Sequence, residues 1–389
     1  MGPADGRPTV RFLVHGAERS GPPIYVLRLL RAWQLVDPGF RTEVVLARPG
    51  PLAAEIAALA PTRTARLDRR SPDQLAAQGL RAVGARRAAE ESTRWSTRLR
   101  IGRTMPALTV VNGATAPTAA LLRAAPGGPT AMVAHELSTG WEANISAADR
   151  LLLLRRCQRF LAVSRAVRDH LIDALGVPEH RITVVPPPVD VDDTGPVTPR
   201  PRSDGAIVVG GGGVTDWRKA PHLWLPVAAE VGRLAPGLPM RFVWFGGDPA
   251  DRGRGWPLLH DVRHLGLEDR VEFLGAVDDP DRVLGGLDLF VSTAREDAAP
   301  LVCAEAAGAG VPVLTFDTGG AAELVGDGRC GSTIPYPRVD ELARAVVDLA
   351  RSPDRRRQLG SRGAAFVRDH RASPVIGRQV GEWVMGAMR

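Results

Sequence analysis

The feature that most constrains this chain is an alternation of short apolar runs with helical patterns, set out twice. Residues 10–14 form a buried-strand pattern, and a loop covers residues 15–23. A helical pattern follows at 24–35, with Val26, Leu27, Leu29 and Leu30 on its apolar side, and a second strand pattern at 42–46. Strand, loop, helix, strand is the unit of a parallel sheet with right-handed crossovers. Further strand runs occur at 108–111, 131–134, 160–163 and 183–185, with a helical pattern at 165–175 that stops at Gly176. Residues 186–204 read PPPVDVDDTGPVTPRPRSD, a linker composition without apolar period. The rhythm then restarts with strands at 206–209, 241–245, 271–274, 287–291 and 313–316, and helices at 221–234, 299–309 and 339–350. The pattern predicts two doubly wound α/β domains, 1–190 and 206–373, joined by a linker at 191–205. A closing helix at 374–389 is expected to pack back toward the first domain.

Composition narrows the class. The chain has 389 residues, 44% hydrophobic and 24% charged, which excludes a disordered chain and a disulfide scaffold. No apolar run reaches the ~18 residues of a membrane span. The first ten residues, MGPADGRPTV, lack the apolar stretch of a secretion signal. Three cysteines, none in a CxxC, fit a reduced cytoplasmic compartment. Lys219 is the single lysine among 50 basic residues. This arginine bias makes the overall basicity partly a habit of composition, so no nucleic-acid partner is inferred. The charge is also local: residues 61–103 hold eleven arginines against four acids, which equals the whole formal net charge of +7. Residues 75–99 read as one basic amphipathic helix, a candidate contact for an anionic membrane.

Several chemical signatures are missing. The glycine loop at 210–213 lacks a P-loop ending, His135-Glu136 is not the start of HExxH, and no GxSxG occurs. Asp190-Val-Asp192 has the form of a metal-binding DxD but lies at the linker, so no metal site is expected. Two signals remain. Asp216-Trp-Arg-Lys-Ala220 follows a strand and a glycine loop and precedes a helix, a good place for an anion. A lone lysine there points to a need for a compact ammonium. Asp297 and Glu305, eight residues apart, flank a helix start at Pro300. Carboxylates so placed reach the C-terminal edge of a parallel sheet, where α/β proteins bind ligands.

Here the residues match a known family. The loop Arg19-Ser-Gly21, the His135-Glu136 pair, Phe160-Leu-Ala-Val-Ser-Arg165 and the run 181–190 occur in its order. So do Trp217-Arg-Lys219, Phe245-Gly-Gly247, the acids 297 and 305, and Gly319-Gly-Ala-Ala-Glu323. The chain resembles the retaining glycosyltransferases of family 4, group 1. The resemblance implies a GT-B fold, two Rossmann-like domains facing a central cleft. It also implies that Arg218 and Lys219 hold a donor diphosphate, that Glu305 holds the ribose, and that Asp297 meets the sugar hydroxyls. Gly213, Glu296, Ala298, Ala299, Pro300, Leu301 and Val302 are the expected donor-binding neighbours. His135 approaches the sugar from the N-terminal domain, and the loop at Gly21 closes on donor phosphate and acceptor. Three departures stand out: Asp297 replaces the usual Glu, while Ala220 and Pro22 replace usual glycines. Ala220 is expected to be tolerable at a helix start.

The activity implied is transfer of a hexose from a UDP- or GDP-sugar with retention, without metal or cofactor. Front-face attack is expected, with the donor phosphate accepting the proton. The acceptor would be a lipid-linked saccharide or a small natural product, and the location cytoplasmic, peripheral on the inner membrane face. Two rivals are a sugar-nucleotide epimerase of GT-B fold and a non-catalytic glycosyltransferase-like binding subunit. Epimer formation without acceptor marks the first, and donor binding without turnover the second.

Overall fold

The structure is a computed structural model. It describes residues 6–68, 71–102, 104–191, 205–248, 250–251, 253 and 255–389. Most of the expected linker, including Asp192 of the DxD, lies outside the described residues, as do Arg69, Arg70 and Arg103. The chain divides into two compact units, Met1–Pro188 with Ser373–Arg389, and Val189–Ala372.

Unit 1 begins β1 (Thr9–Val14), α1 (Gly21–Leu35), β2 (Arg41–Leu46), α2 (Ala53–Leu59), β3 (Thr62–Thr64), α3 (Pro72–Ala82) and α4 (Arg86–Ile101). It continues β4 (Leu108–Asn112), α5 (Ala116–Ala124), β5 (Thr130–Ala134), α6 (Ser138–Ala143) and α7 (Ala147–Arg156). It ends β6 (Arg159–Ala162), α8 (Arg165–Asp173) and β7 (Ile182–Val184). Among the described residues the sheet order is β3-β2-β1-β4-β5-β6-β7, all parallel. Its central strands are buried along their length, as parallel strands covered on both faces must be. Fully buried Arg11 on β1 pairs with Glu43 at 2.6 Å and bonds Thr104 at 3.1 Å, tying two strands to the loop before β4. Removing one member of such a pair costs about 3 to 5 kcal/mol.

Unit 2 contains β8 (Ile207–Gly212), α9 (Pro221–Leu234), β9 (Met240–Phe245), α10 (Gly255–His264), β10 (Val271–Gly275) and α11 (Pro280–Gly285). Then come β11 (Leu289–Ser292), α12 (Leu301–Gly308), β12 (Val313–Phe316), α13 (Gly319–Gly328), β13 (Gly331–Ile334), α14 (Val339–Ala350) and α15 (Pro353–His370). Among the described residues its order is β10-β9-β8-β11-β12-β13, again parallel. One face packs Trp224 edge-on to Phe242 and Trp244, at 5.5 and 5.6 Å between centroids. The other buries Phe245, Phe290 and Cys303. The closing helix α16 (Ser373–Ala387) belongs to unit 1, where Trp33 of α1 donates to the Gly377 carbonyl at 2.9 Å.

In both sheets the strand order reverses beside the first strand, between β1 and β4 and between β8 and β11. The crevice outside the carboxyl ends at such a switch point is where doubly wound sheets bind ligands.

Two expectations need correction. The single helix expected at 75–99 is two helices, α3 and α4, parted at 83–85, where Gly84 turns with φ +82°. Ala220 is not an ordinary helix-start residue: its φ is 53° and ψ 51°, the left-handed region that favours glycine. A smaller shift is Pro300, which caps α12 rather than opening it.

Candidate functional site

At the switch point of unit 2, the loop after β8 faces the loop after β11. Gly213 follows β8, and its carbonyl accepts from Trp244 Nε1 at 3.0 Å. A Cβ there would stand 3.1 Å from the stem of Lys219, so glycine lets the lysine lie along the loop. Asp216 organises the turn into α9, its carboxylate accepting from Lys219 N at 2.9 Å and its carbonyl from Ala220 N at 3.0 Å. Pro221 has no amide hydrogen. The amides of Lys219 and Ala220 are therefore engaged within the turn, and positive charge is supplied by the side chains beside it.

Those side chains converge on Asp297. Lys219 Nζ donates to Asp297 Oδ2, and Arg218 Nη1 lies 3.5 Å from Asp297 Oδ1. Arg218 also donates to the Glu296 carbonyl at 3.3 Å. The Asp297 side chain is 8% exposed and that of Lys219 14%, whereas Arg218 reaches 35%. Gly320 N, at the start of α13, donates to the Asp297 carbonyl at 2.9 Å, holding the acid loop from behind. Arg295 ties the same loops together. Its amide donates to the Arg218 carbonyl at 2.8 Å, its guanidinium to the Trp217 carbonyl at 2.9 Å and to Tyr336 at 3.1 Å, over the Trp217 ring. Sequence reasoning left Arg295 out, because its partners are far away in the chain.

Of the expected donor residues, Gly213, Arg218, Lys219, Glu296 and Asp297 are thus gathered in one place. Ala298, Ala299 and Pro300 continue the loop into α12, whose first-turn residues include Leu301 and Val302. First-turn amides have no acceptor inside their own helix, so they are available to an anion or a hydroxyl. Glu305 lies half-buried in the second turn of α12.

At the switch point of unit 1, His135 follows β5, Asn112 ends β4 and His15 follows β1. Asn112 Nδ2 donates to the Pro22 carbonyl at 2.9 Å, which turns its Oδ1 toward His135 Nε2, also at 2.9 Å. That fixes Nε2 as the protonated nitrogen and leaves Nδ1 as the acceptor. Tyr25 packs edge-on against the imidazole, 4.9 Å between centroids. Desolvation, aided by the neighbouring His15, pushes the His135 pKa down to about 3. Burial also lowers His15. Glu136 accepts from the Ala114 and His135 amides at 2.9 and 3.1 Å. Desolvation outweighs these bonds and raises its pKa to about 7. Gly21 opens α1 nearby in sequence to Pro22, with open space around it. Asn112 and His15 were not singled out from sequence. The signal available was their place just at the end of apolar strands, but the strand order that joins them is not local.

Among the described residues no group of three or more metal-ligating side chains occurs, and no helix is long and apolar enough to cross a membrane.

Residues 20–193 match the profile of Glycosyltransferase Family 4, and residues 206–352 that of Glycosyl transferases group 1. A D-inositol 3-phosphate glycosyltransferase of Nocardia farcinica is 30% identical over 224 residues, 55% of this chain and 49% of that protein. The chain thus spans about half the length of the curated relatives it matches. Among solved structures, Anabaena HepE in complex with UDP and glucose superposes with a TM-score of 0.74 at 19% identity, covering 97% of this chain and 100% of that one. Sucrose-phosphate synthase from Thermosynechococcus elongatus gives 0.76 at 17% identity, covering 98% and 99%.

Proposed function

Because the chain belongs to the family 4, group 1 glycosyltransferases and has the GT-B fold, we propose that it transfers a hexose from a UDP- or GDP-sugar, with retention of configuration. The observation that carries this reading is the convergence of Arg218 and Lys219 on Asp297 at the switch point of unit 2. Two cations beside a buried carboxylate form a site that a diphosphate can enter, replacing Asp297 as partner while the carboxylate turns to sugar hydroxyls. Positive charge at the leaving diphosphate then stabilises the transition state, where the barrier lies. Lys219 supplies a compact charge and Arg218 a planar fork. Following the family resemblance, Glu305 holds the ribose and the backbone from Glu296 to Val302 lines the sugar. His135 is a neutral imidazole at physiological pH, suited to hydrogen bonding a sugar hydroxyl and not to supplying charge. Attack from the same face as the leaving group, with donor phosphate taking the proton, needs neither a protein nucleophile nor a metal.

The acceptor in this reading is a lipid-linked saccharide or a small natural product. The relatives' names add an inositol phosphate to the acceptors worth testing. Membrane contact through 61–103 is supported by side chains that face solvent on α3, α4 and their flanks. Leu75, Val83, Trp95, Leu99 and Met105 are exposed, Trp95 to 66%, and Arg87, Arg94 and Arg98 are exposed beside them. Apolar and basic groups together on a helical surface suit an anionic bilayer, seen from the cytoplasmic side.

The test is a thermal-shift panel of UDP-, GDP- and ADP-sugars, followed by product analysis with the stabilising donor. A selective rise with one UDP- or GDP-sugar and an α- or β-linkage matching the donor supports the proposal. No stabilisation by any nucleotide-sugar contradicts it.

A further inference from the structure

In unit 2, α10 carries His260 and His264 one helical turn apart. Their rings touch edge to face, with centroids 4.2 Å apart. Trp256, a turn earlier, lies 5.7 Å from the His260 ring. The His260 side chain is 45% exposed and His264 is exposed. Asp261 Oδ1 stands 3.7 Å from His260 Nδ1.

Imidazoles at i and i+4 on one helix face are the arrangement by which a helix offers two nitrogen ligands to zinc. We propose that His260 and His264 form a binding site for a divalent transition-metal ion of the Zn²⁺, Ni²⁺ and Cu²⁺ class. The two rings now in contact would each turn a nitrogen to the ion, and water would fill the remaining positions. Imidazole ligands favour these borderline ions over Mg²⁺ and Ca²⁺, and Cu²⁺ over Ni²⁺ and Zn²⁺. The ion would link two turns of α10, so it binds the folded unit more tightly than the unfolded chain and stabilises it. The proposal does not depend on the proposed reaction.

The experiment uses the full chain without an affinity tag. Tryptophan emission is followed during Cu²⁺ titration, and thermal stability is measured with Ni²⁺ and with Mg²⁺. The expected result is saturable quenching at one Cu²⁺ per chain and a Tm rise of about 2 °C in millimolar Ni²⁺, with none in Mg²⁺. His260→Gln or His264→Gln should weaken Cu²⁺ binding about tenfold or more, since one ligand cannot chelate. Trp256→Phe should remove most of the saturable quench while leaving the Ni²⁺ shift, which locates the ion. Equal binding by wild type and the His260→Gln, His264→Gln double variant would overturn the site. So would the lack of any saturable binding up to millimolar metal.

Discussion

Asn112 sets the tautomer of His135. Its amide nitrogen is committed to the Pro22 carbonyl, so its oxygen must accept from His135 Nε2, at 2.9 Å. The first turn of α1, the end of β4 and the histidine after β5 are thereby joined in one hydrogen-bonded line. Pro22 contributes only a carbonyl to it, so its replacement of the family's glycine leaves that contact intact.

Burial, with His15 beside it, should keep His135 neutral well into acid. A histidine NMR titration should find it unprotonated down to about pH 4, because its pKa lies at about 3. Asn112→Asp puts a carboxylate against Nε2–H and should raise that pKa, since an opposite charge favours imidazolium. A wild-type midpoint near 6.5, the ordinary histidine value, would show that the ring is solvated and not buried.

Glu136 gives a pH signature of opposite sign. Its folded pKa of about 7 exceeds the ordinary 4.5, so the native state holds a proton that the unfolded chain has lost. Glu136 thus removes stability as pH rises from 4.5 to 7. His135, depressed from 6.5 to about 3, adds stability as pH rises through that interval. The Glu136→Gln variant loses the first effect alone. Its stability relative to wild type should climb between about pH 4.5 and 7 in urea denaturation series. A difference that is flat with pH would mean that Glu136 ionises normally.

Ala220→Gly should stabilise the protein. Ala220 sits at φ 53°, and a left-handed residue with a Cβ costs about 1 to 2 kcal/mol. Glycine regains part of that at some cost in unfolded-chain entropy, for a net gain of about 0.5 to 1 kcal/mol. Thermal or urea unfolding of the two forms measures it, and a less stable glycine variant would contradict the strain.

The exposed face of α3 and α4 should bind anionic vesicles in a salt-sensitive manner. Co-sedimentation with phosphatidylserine vesicles should fall on raising the salt, and fall again when Arg87, Arg94 and Arg98 become glutamine, at up to ~1 kcal/mol each. Trp95→Ala should weaken it further. Sedimentation with neutral vesicles to the same extent, or with none at low salt, would assign this face to something other than a membrane.

The parts legible in the sequence share one physical cause. Central parallel strands are buried on both faces, so β1, β4, β5 and β12 stand out as apolar runs, and α9 and α14 as amphipathic patterns. The edge strands β3 (TRT) and β13 (GSTI) are short and partly exposed, and they carry no such signal. Residues 83–85 look helical because Ala and Val continue the pattern, yet Gly84 breaks it. At the site, Asp216, Arg218, Lys219 and Asp297 were readable because each follows a strand closely. Arg295 with Tyr336, and Asn112 with His135, meet only through the order of strands in the sheet. Ala220 was misjudged because its strain depends on the turn that Asp216 makes, which is set by geometry and not by residue type.

The central claim is that Arg218 and Lys219 hold the donor diphosphate in a transfer that needs no metal. The measurement is kcat/KM for the identified donor, in excess EDTA, with wild type, Lys219→Ala and Lys219→Arg. Wild type should turn over fully in EDTA. Lys219→Ala should lose about 2 to 4 kcal/mol of transition-state stabilisation, roughly 30- to 1000-fold, and Lys219→Arg should be impaired as well. Near-normal turnover by Lys219→Ala, or wild-type activity lost in EDTA and restored by Mg²⁺ or Mn²⁺, would contradict it.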